Sequence, residues 1–117
     1  MMQEKFLKNW GKNTISRYKI KLSKVAKDEL ENIYRYITYS LLEPKIADRL
    51  RYKILNDILR LEHSPHSGMK IHIGFRNKVF RRLISGRYII LYRINEHQRL
   101  IKIYHICYGR RNYFKLL

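Results

Sequence analysis

The stretch Arg81-Arg82-Leu83-Ile84-Ser85-Gly86-Arg87-Tyr88-Ile89-Ile90-Leu91-Tyr92-Arg93 decides the fold. Two β-prone runs meet at a serine–glycine pair of the kind that closes a two-residue hairpin. With Ser85-Gly86 as the loop, Ile84 faces Arg87, Leu83 faces Tyr88, Arg82 faces Ile89 and Arg81 faces Ile90. The strands span residues 77–84 and 87–95. A turn at Glu96-His97-Gln98 leads into a third strand over 99–107. Side chains alternate between the two faces of a strand, so the register sorts them. Leu83, Tyr88, Ile90, Tyr92, Ile94, Ile101 and Ile103 share one face, the natural core side. Arg82, Arg87, Arg93, Lys102 and Tyr104 share the other, with Ile89 and Leu91 among them. Arg81 has the parity of the core face, which calls for an edge position or a carboxylate partner.

Upstream, Tyr18-Lys19-Ile20-Lys21-Leu22 alternates apolar and basic residues as a half-buried strand does. Ser23 is placed to cap a helix whose apolar stripe is Ala26, Leu30, Ile33 and Ile37. Asp28, Glu29 and Glu31 fall toward the positive end of that helix, where acids are favoured. Pro44 suits the first turn of a second helix with Ile46, Leu50, Ile54, Ile58 and Leu61 on its apolar face. The short connection between the two predicts a helical hairpin. Pro65 and Gly68 then open a loop. The expected fold is α+β in the order β-α-α-β-β-β, a two-helix hairpin packed on an antiparallel sheet. Residues 17–117 form one domain and residues 1–16 an extension, in which Phe6, Leu7 and Trp10 could share one helical turn.

The chain is strongly basic, with a net charge of +17 on 117 residues. Its last third carries most of the imbalance, with Glu96 the one acid after Ile71. Such a field attracts polyanions or an acidic protein and says nothing about fold. The single cysteine, Cys107, excludes an internal disulfide and a cysteine-based metal site, and sits in an apolar strand as a small core residue. His63, His66 and His72 do not have a metal-ligand spacing, so no metal and no cofactor is expected. No apolar run is long enough to span a membrane, and the N-terminal residues lack the apolar core of a secretion signal. A soluble cytoplasmic protein with no membrane partner and no small-molecule substrate is the expectation.

From residue 18 onward the chain resembles the RelE/ParE superfamily of bacterial toxins from type II toxin–antitoxin modules. The resemblance rests on the opening strand and the helix Ala26-Lys27-Asp28-Glu29-Leu30-Glu31-Asn32-Ile33. It continues through Ser64-Pro65-His66-Ser67-Gly68, the hairpin quoted above, and the ending Ile103-Tyr104-His105-Ile106-Cys107-Tyr108-Gly109-Arg110-Arg111-Asn112-Tyr113. It implies a small toxin that arrests growth and is neutralised by a cognate acidic antitoxin. RelE-like members cut messenger RNA on the ribosome with basic side chains on the sheet. ParE-like members poison DNA gyrase. In the cutting branch an arginine stands at the position of Ile89, while Arg82, and Arg110 or Arg111, keep basic positions of that branch. The Gly-Arg-Tyr-aliphatic pattern over 86–90 is common among ParE-like members, which leans the chain that way.

Two functions follow as expectations. Gyrase inhibition needs a binding face, for which Arg81, Arg82, Arg87, Arg93, Lys102, Arg110 and Arg111 are the candidates. The alternative is a metal-independent mRNA endoribonuclease. In that case Arg82, Arg87 and Arg111 would stabilise phosphate charge, and His105 or Tyr113 would move protons. His105 has core parity, which favours a structural hydrogen bond. Ile89 has a plainer reading as an ordinary strand residue, with Arg87 taking the arginine's role. Ten tyrosines among basic residues raise plain nucleic-acid binding by base stacking, but Tyr34, Tyr36, Tyr39 and Tyr52 fall on helices, where packing accounts for them.

Overall fold

The computed structural model describes residues 17–73 and 78–110. Strand β1 (Lys19–Leu22) leads into helix α1 (Lys24–Arg35), which ends in a π-helical turn, Tyr36–Ser40. Helix α2 (Pro44–Leu59) follows, then two short 3-10 turns. Strands β2 (Met69–Ile73), β3 (Lys78–Ser85), β4 (Tyr88–Asn95) and β5 (Leu100–Tyr108) complete one five-stranded sheet in the order β1-β5-β4-β3-β2. The two helices cover one face of it. No helix of the described residues is long and apolar enough to cross a membrane.

The expected α+β architecture is present, with two additions. Met69–Ile73 is a strand that the sequence reading left in a loop; it pairs antiparallel with β3. The opening strand lies parallel to β5, with Lys21 opposite Lys102, so one edge of the sheet is not antiparallel.

The hairpin register also differs. The loop is Gly86-Arg87, and Ser85 pairs with Tyr88. Gly86 has φ +60°, and Arg87 is not among the positive-φ residues. A two-residue turn with positive φ at its first position only is the one that wants glycine first. Ser85 is drawn into the strand because its buried hydroxyl donates to Asp57 Oδ2 on α2 at 2.6 Å. The pairing shifts by two residues, so the side chains of this hairpin keep their expected faces; in the β4–β5 pairing a bulge at Leu91/Tyr92 instead sets His105 opposite Leu91 and Cys107 opposite Ile89, off the core parity expected of them.

Ile54, Ile58, Leu61, Ile90, Tyr92, Ile101, Ile103 and Ile106 form the main core with Ala26 and Leu30. On α2 the first buried position is Ala47, while Ile46 is exposed, contrary to the predicted stripe. Across the helices, Arg51 reaches Glu31 at 3.0 Å and stacks on the Tyr34 ring at 3.6 Å.

The acids of α1 lie beyond its first turn, contrary to the expected dipole role, and Glu29 has a different one. β1 ends at Leu22, leaving the outer half of β5 without a strand neighbour on that side. Side chains of the helix take over. Ser23 Oγ donates to the Tyr104 carbonyl at 3.0 Å while accepting from Ala26 N–H. Glu29 Oε1 accepts from Ile106 N–H at 2.9 Å, and its other oxygen lies 3.2 Å from His105 Nδ1. A backbone acceptor and a backbone donor that a strand would have satisfied are thereby paired.

Asp57 is the second tie. Burial pushes its carboxyl upward, but the bonds from Ser85 and Lys53 and the charges of Lys53 and Arg60 outweigh that and hold it below the usual range. A carboxyl depressed in the folded state stabilises above its unfolded pKa of about 4 and loses that contribution as pH falls through the lower folded value. The stability gap between the native chain and Asp57→Asn should therefore be wide at neutral pH and close below that range. Urea unfolding at both ends checks this; a gap independent of pH would contradict it.

Candidate polyanion-binding face

Helices cover one side of the sheet, so the other presents its side chains outward. Along β1 these are Lys19 and Lys21, because Ile20 and Leu22 pack into the core. Along β5 the outward set includes Lys102 and Tyr104, along β4 Arg93, and along β3 Phe80 and Arg82. Register brings three of the cations together: Lys21 lies opposite Lys102, and Lys102 opposite Arg93. Adjacent strands are about 4.8 Å apart, so three positive charges form a row across three strands. Among the described residues no carboxylate stands within ion-pair distance of Lys21, Arg93 or Lys102. Like charges directly opposite one another destabilise a sheet. Phe80 and Tyr104 meet edge-on at 5.2 Å beneath the row, with Arg93 over Phe80 at 5.4 Å and Lys102 over Tyr104 at 5.0 Å.

The candidate residues divide into separate groups. Arg93 and Lys102 belong to the row. Arg82 shares their face, opposite Leu91, with Nη2 3.6 Å from the Met69 sulfur. Arg87 and Arg110 sit together at the far end of the sheet, beside Tyr108 and Gly109, where Gly109 N–H donates to the Arg87 carbonyl at 2.8 Å. Six residues of strand separate Arg87 from Arg93, about 20 Å. Arg81 keeps its core-side parity, with no carboxylate among the described residues in ion-pair contact. Its Nη1 donates to the carbonyls of Gly68 at 2.7 Å and His66 at 3.1 Å, so it fastens the loop after α2. His105 lies on the same rung of the sheet as Arg82, with Leu91 between them, and its Nδ1 is 3.2 Å from Glu29. Arg111 and Tyr113 lie outside the described residues.

Ile89 is buried, grouped with Leu91, Cys107 and Ile71 in an apolar island on the outer face. Cys107 is thus core, but of this second cluster.

Lys19 and Lys21 are the residues that sequence reasoning missed. Their alternation was legible. What was hidden was that β1 docks beside β5 and adds them to its basic face. Also unforeseen is a chain of contacts at the β4–β5 turn, where Tyr18 donates to Glu96 Oε1 at 2.6 Å and His66 Nε2 lies 2.7 Å from Oε2. Glu96 is held below the usual carboxylate range, first by the Tyr18 hydroxyl and then by His66.

A family model described as the ParE toxin of the type II toxin–antitoxin system parDE matches residues 20–113. Among solved structures, the chromosomal ParDE toxin–antitoxin system from P. aeruginosa is similar at 20% identity and a TM-score of 0.62, covering 80% of this chain and 97% of that one. The RelBE2 toxin–antitoxin complex from Mycobacterium tuberculosis is similar at 15% identity and a TM-score of 0.56, covering 79% and 98%. At these identities the two structures speak for the fold. A search of curated proteins gives no match.

Proposed function

We propose, from the premise that this chain belongs to the ParE family of toxins of type II toxin–antitoxin systems, that it arrests growth by binding DNA gyrase, without chemistry of its own. The observation that carries the choice of target is Ile89. Where a messenger-cutting relative would hold an arginine, this chain buries an isoleucine against Leu91 and Cys107. The described strand residues of the outer face include no carboxylate, and the imidazole in register with that face, His105 opposite Leu91, is engaged by Glu29. Arg82 and Arg87 stand about 13 Å apart along the strands, too far to grip one phosphate as neighbours.

The cognate antitoxin is the natural partner, since the similar structures are toxin–antitoxin complexes. A net charge of +17 favours an acidic antitoxin segment. An apolar groove lined by Ile33, Tyr36, Tyr88, Ile106, Cys107 and Tyr108 runs beside the stretch of β5 that β1 leaves unpaired, and suits the apolar side of such a segment. On this reading the protein works in the cytoplasm.

A second reading, ribosome-dependent cleavage of messenger RNA, is favoured by one feature, the Lys21–Lys102–Arg93 row, which suits a phosphate backbone. One pair of assays separates the two. Purified toxin should block gyrase supercoiling and leave messenger RNA on translating ribosomes intact. Cleaved messenger with unaffected supercoiling would reverse the assignment.

A further inference from the structure

A cleft of about 400 Å³ opens at the end of the sheet where β4 turns toward β5. His66, Lys70, Lys78, Arg81, Arg93 and Glu96 line it. Four cations thus face one carboxylate, and both oxygens of that carboxylate are already engaged, by Tyr18 and His66. Two of the cations are held in place, Arg81 by the loop carbonyls and Arg93 over the Phe80 ring. Lys70 lies opposite Arg81 in the β2–β3 register, a like-charge pairing that costs stability until an anion relieves it.

A second cleft of about 450 Å³ adjoins the first and shares Arg93, Ile94 and Glu96 with it. It adds the Tyr104 ring, Lys102, and the amides of Asn95 and Gln98. Those amides are fixed by the turn: Gln98 N–H donates to Asn95 Oδ1 at 3.0 Å, and the side chains meet at 3.3 Å. One cleft is cationic. Its neighbour offers an aromatic ring and hydrogen-bonding amides. Each lies within the ordinary range for small-ligand sites.

We propose that the two clefts together bind a phosphorylated nucleoside, with its phosphates among Lys70, Lys78, Arg81 and Arg93 and its base against Tyr104. A lone carboxylate would neutralise only one cation, whereas a di- or triphosphate matches the excess and can accept from several donors at once. The base and sugar then explain why the aromatic cleft adjoins. Two sources share this chemistry, a free nucleotide and the 5′-phosphorylated end of a nucleic-acid strand. The site does not depend on which target the toxin has.

Isothermal titration of the full chain with ADP, adenosine, pyrophosphate, and a trinucleotide with and without a 5′-phosphate tests the proposal. ADP should saturate one site per chain, pyrophosphate should bind more weakly, and adenosine should give no signal. Lys70→Ala with Lys78→Ala should weaken ADP at least about tenfold. Lys27→Ala with Lys45→Ala, on the helices and equal in charge, should leave the affinity within about twofold. Tyr104→Ala should weaken ADP and spare pyrophosphate. Tighter binding of ADP than of the phosphorylated trinucleotide identifies the free nucleotide as the source, and the reverse order the strand end. Equal losses in the two charge-matched double variants would overturn the site in favour of attraction by the overall charge. So would binding of phosphorylated probes without saturation, or no binding of any.

Discussion

Tyr92→Phe should cost about 2–4 kcal/mol of unfolding free energy, because one hydroxyl satisfies two buried backbone groups worth about 1–3 kcal/mol each when orphaned. The Tyr92 side chain is fully buried on β4. Its hydroxyl donates to the Pro65 carbonyl at 2.7 Å and accepts from Gly68 N–H at 2.9 Å. It therefore pins the loop after α2 to the middle of the sheet, and Arg81 clamps the same loop from outside. Gly68 is required there for room. A Cβ would come within 2.6 Å of the Tyr92 hydroxyl and 2.8 Å of the Arg82 carbonyl, which is backbone and cannot swing aside. Gly68→Ala should accordingly cost about 1–3 kcal/mol as overpacking. The two substitutions share a contact, so the double variant should fall short of the sum by more than about 0.5 kcal/mol. Urea unfolding of the four proteins checks all three statements. A Tyr92→Phe chain within about 0.5 kcal/mol of the native one would show that the loop finds other partners.

This tie shows what could be read from the chain and what could not. That Tyr92 faces the core followed from alternation alone, because period two survives a register error of two residues. The helices were equally legible: Ser23 caps α1 through Ala26 N–H, and Pro44 opens α2. What alternation cannot supply is which strands become neighbours. The basic row needs β1 to lie at the sheet edge parallel to β5, a non-local choice with no local signal at Lys21. The strand Met69–Ile73 was readable from its alternation, but Pro65 and Gly68 drew attention to a loop. The roles of Glu29, Asp57 and Glu96 were hidden for the same reason as the row. Each carboxylate meets a partner far away in sequence, and its helix or turn position suggested only local electrostatics. Arg81 posed the right question, a cation with core parity, and the answer came from loop carbonyls, which carry no side-chain signature.

Lys21→Glu combined with Arg93→Glu should make the protein more stable and less toxic at once. The native row sets Lys102 between two like charges; the double substitution leaves it flanked by carboxylates. Each cross-strand pair changes from repulsive to attractive, worth about 0.2–1 kcal/mol. Loss of the contact of half-buried Arg93 with buried Phe80 offsets part of that, about 0.5–1 kcal/mol. A modest net gain in unfolding free energy is the expectation, shrinking as added salt screens the charges. Toxicity and target binding should meanwhile fall by at least about tenfold, since two cations of the outer face become anions and an acidic or polyanionic target is repelled. The opposite signs are the point of the experiment. Were the row a structural device, breaking it would lower stability, and any loss of toxicity would follow from the loss of fold. A sheet that holds three like charges in register, with no carboxylate among the described residues in ion-pair reach, keeps them at a cost to its own stability, and a binding role accounts for that cost. Urea unfolding at low and high salt, beside a growth assay and a supercoiling assay on the same variant, decides between the two. A variant both less stable and less toxic would place the row among the fold's supports.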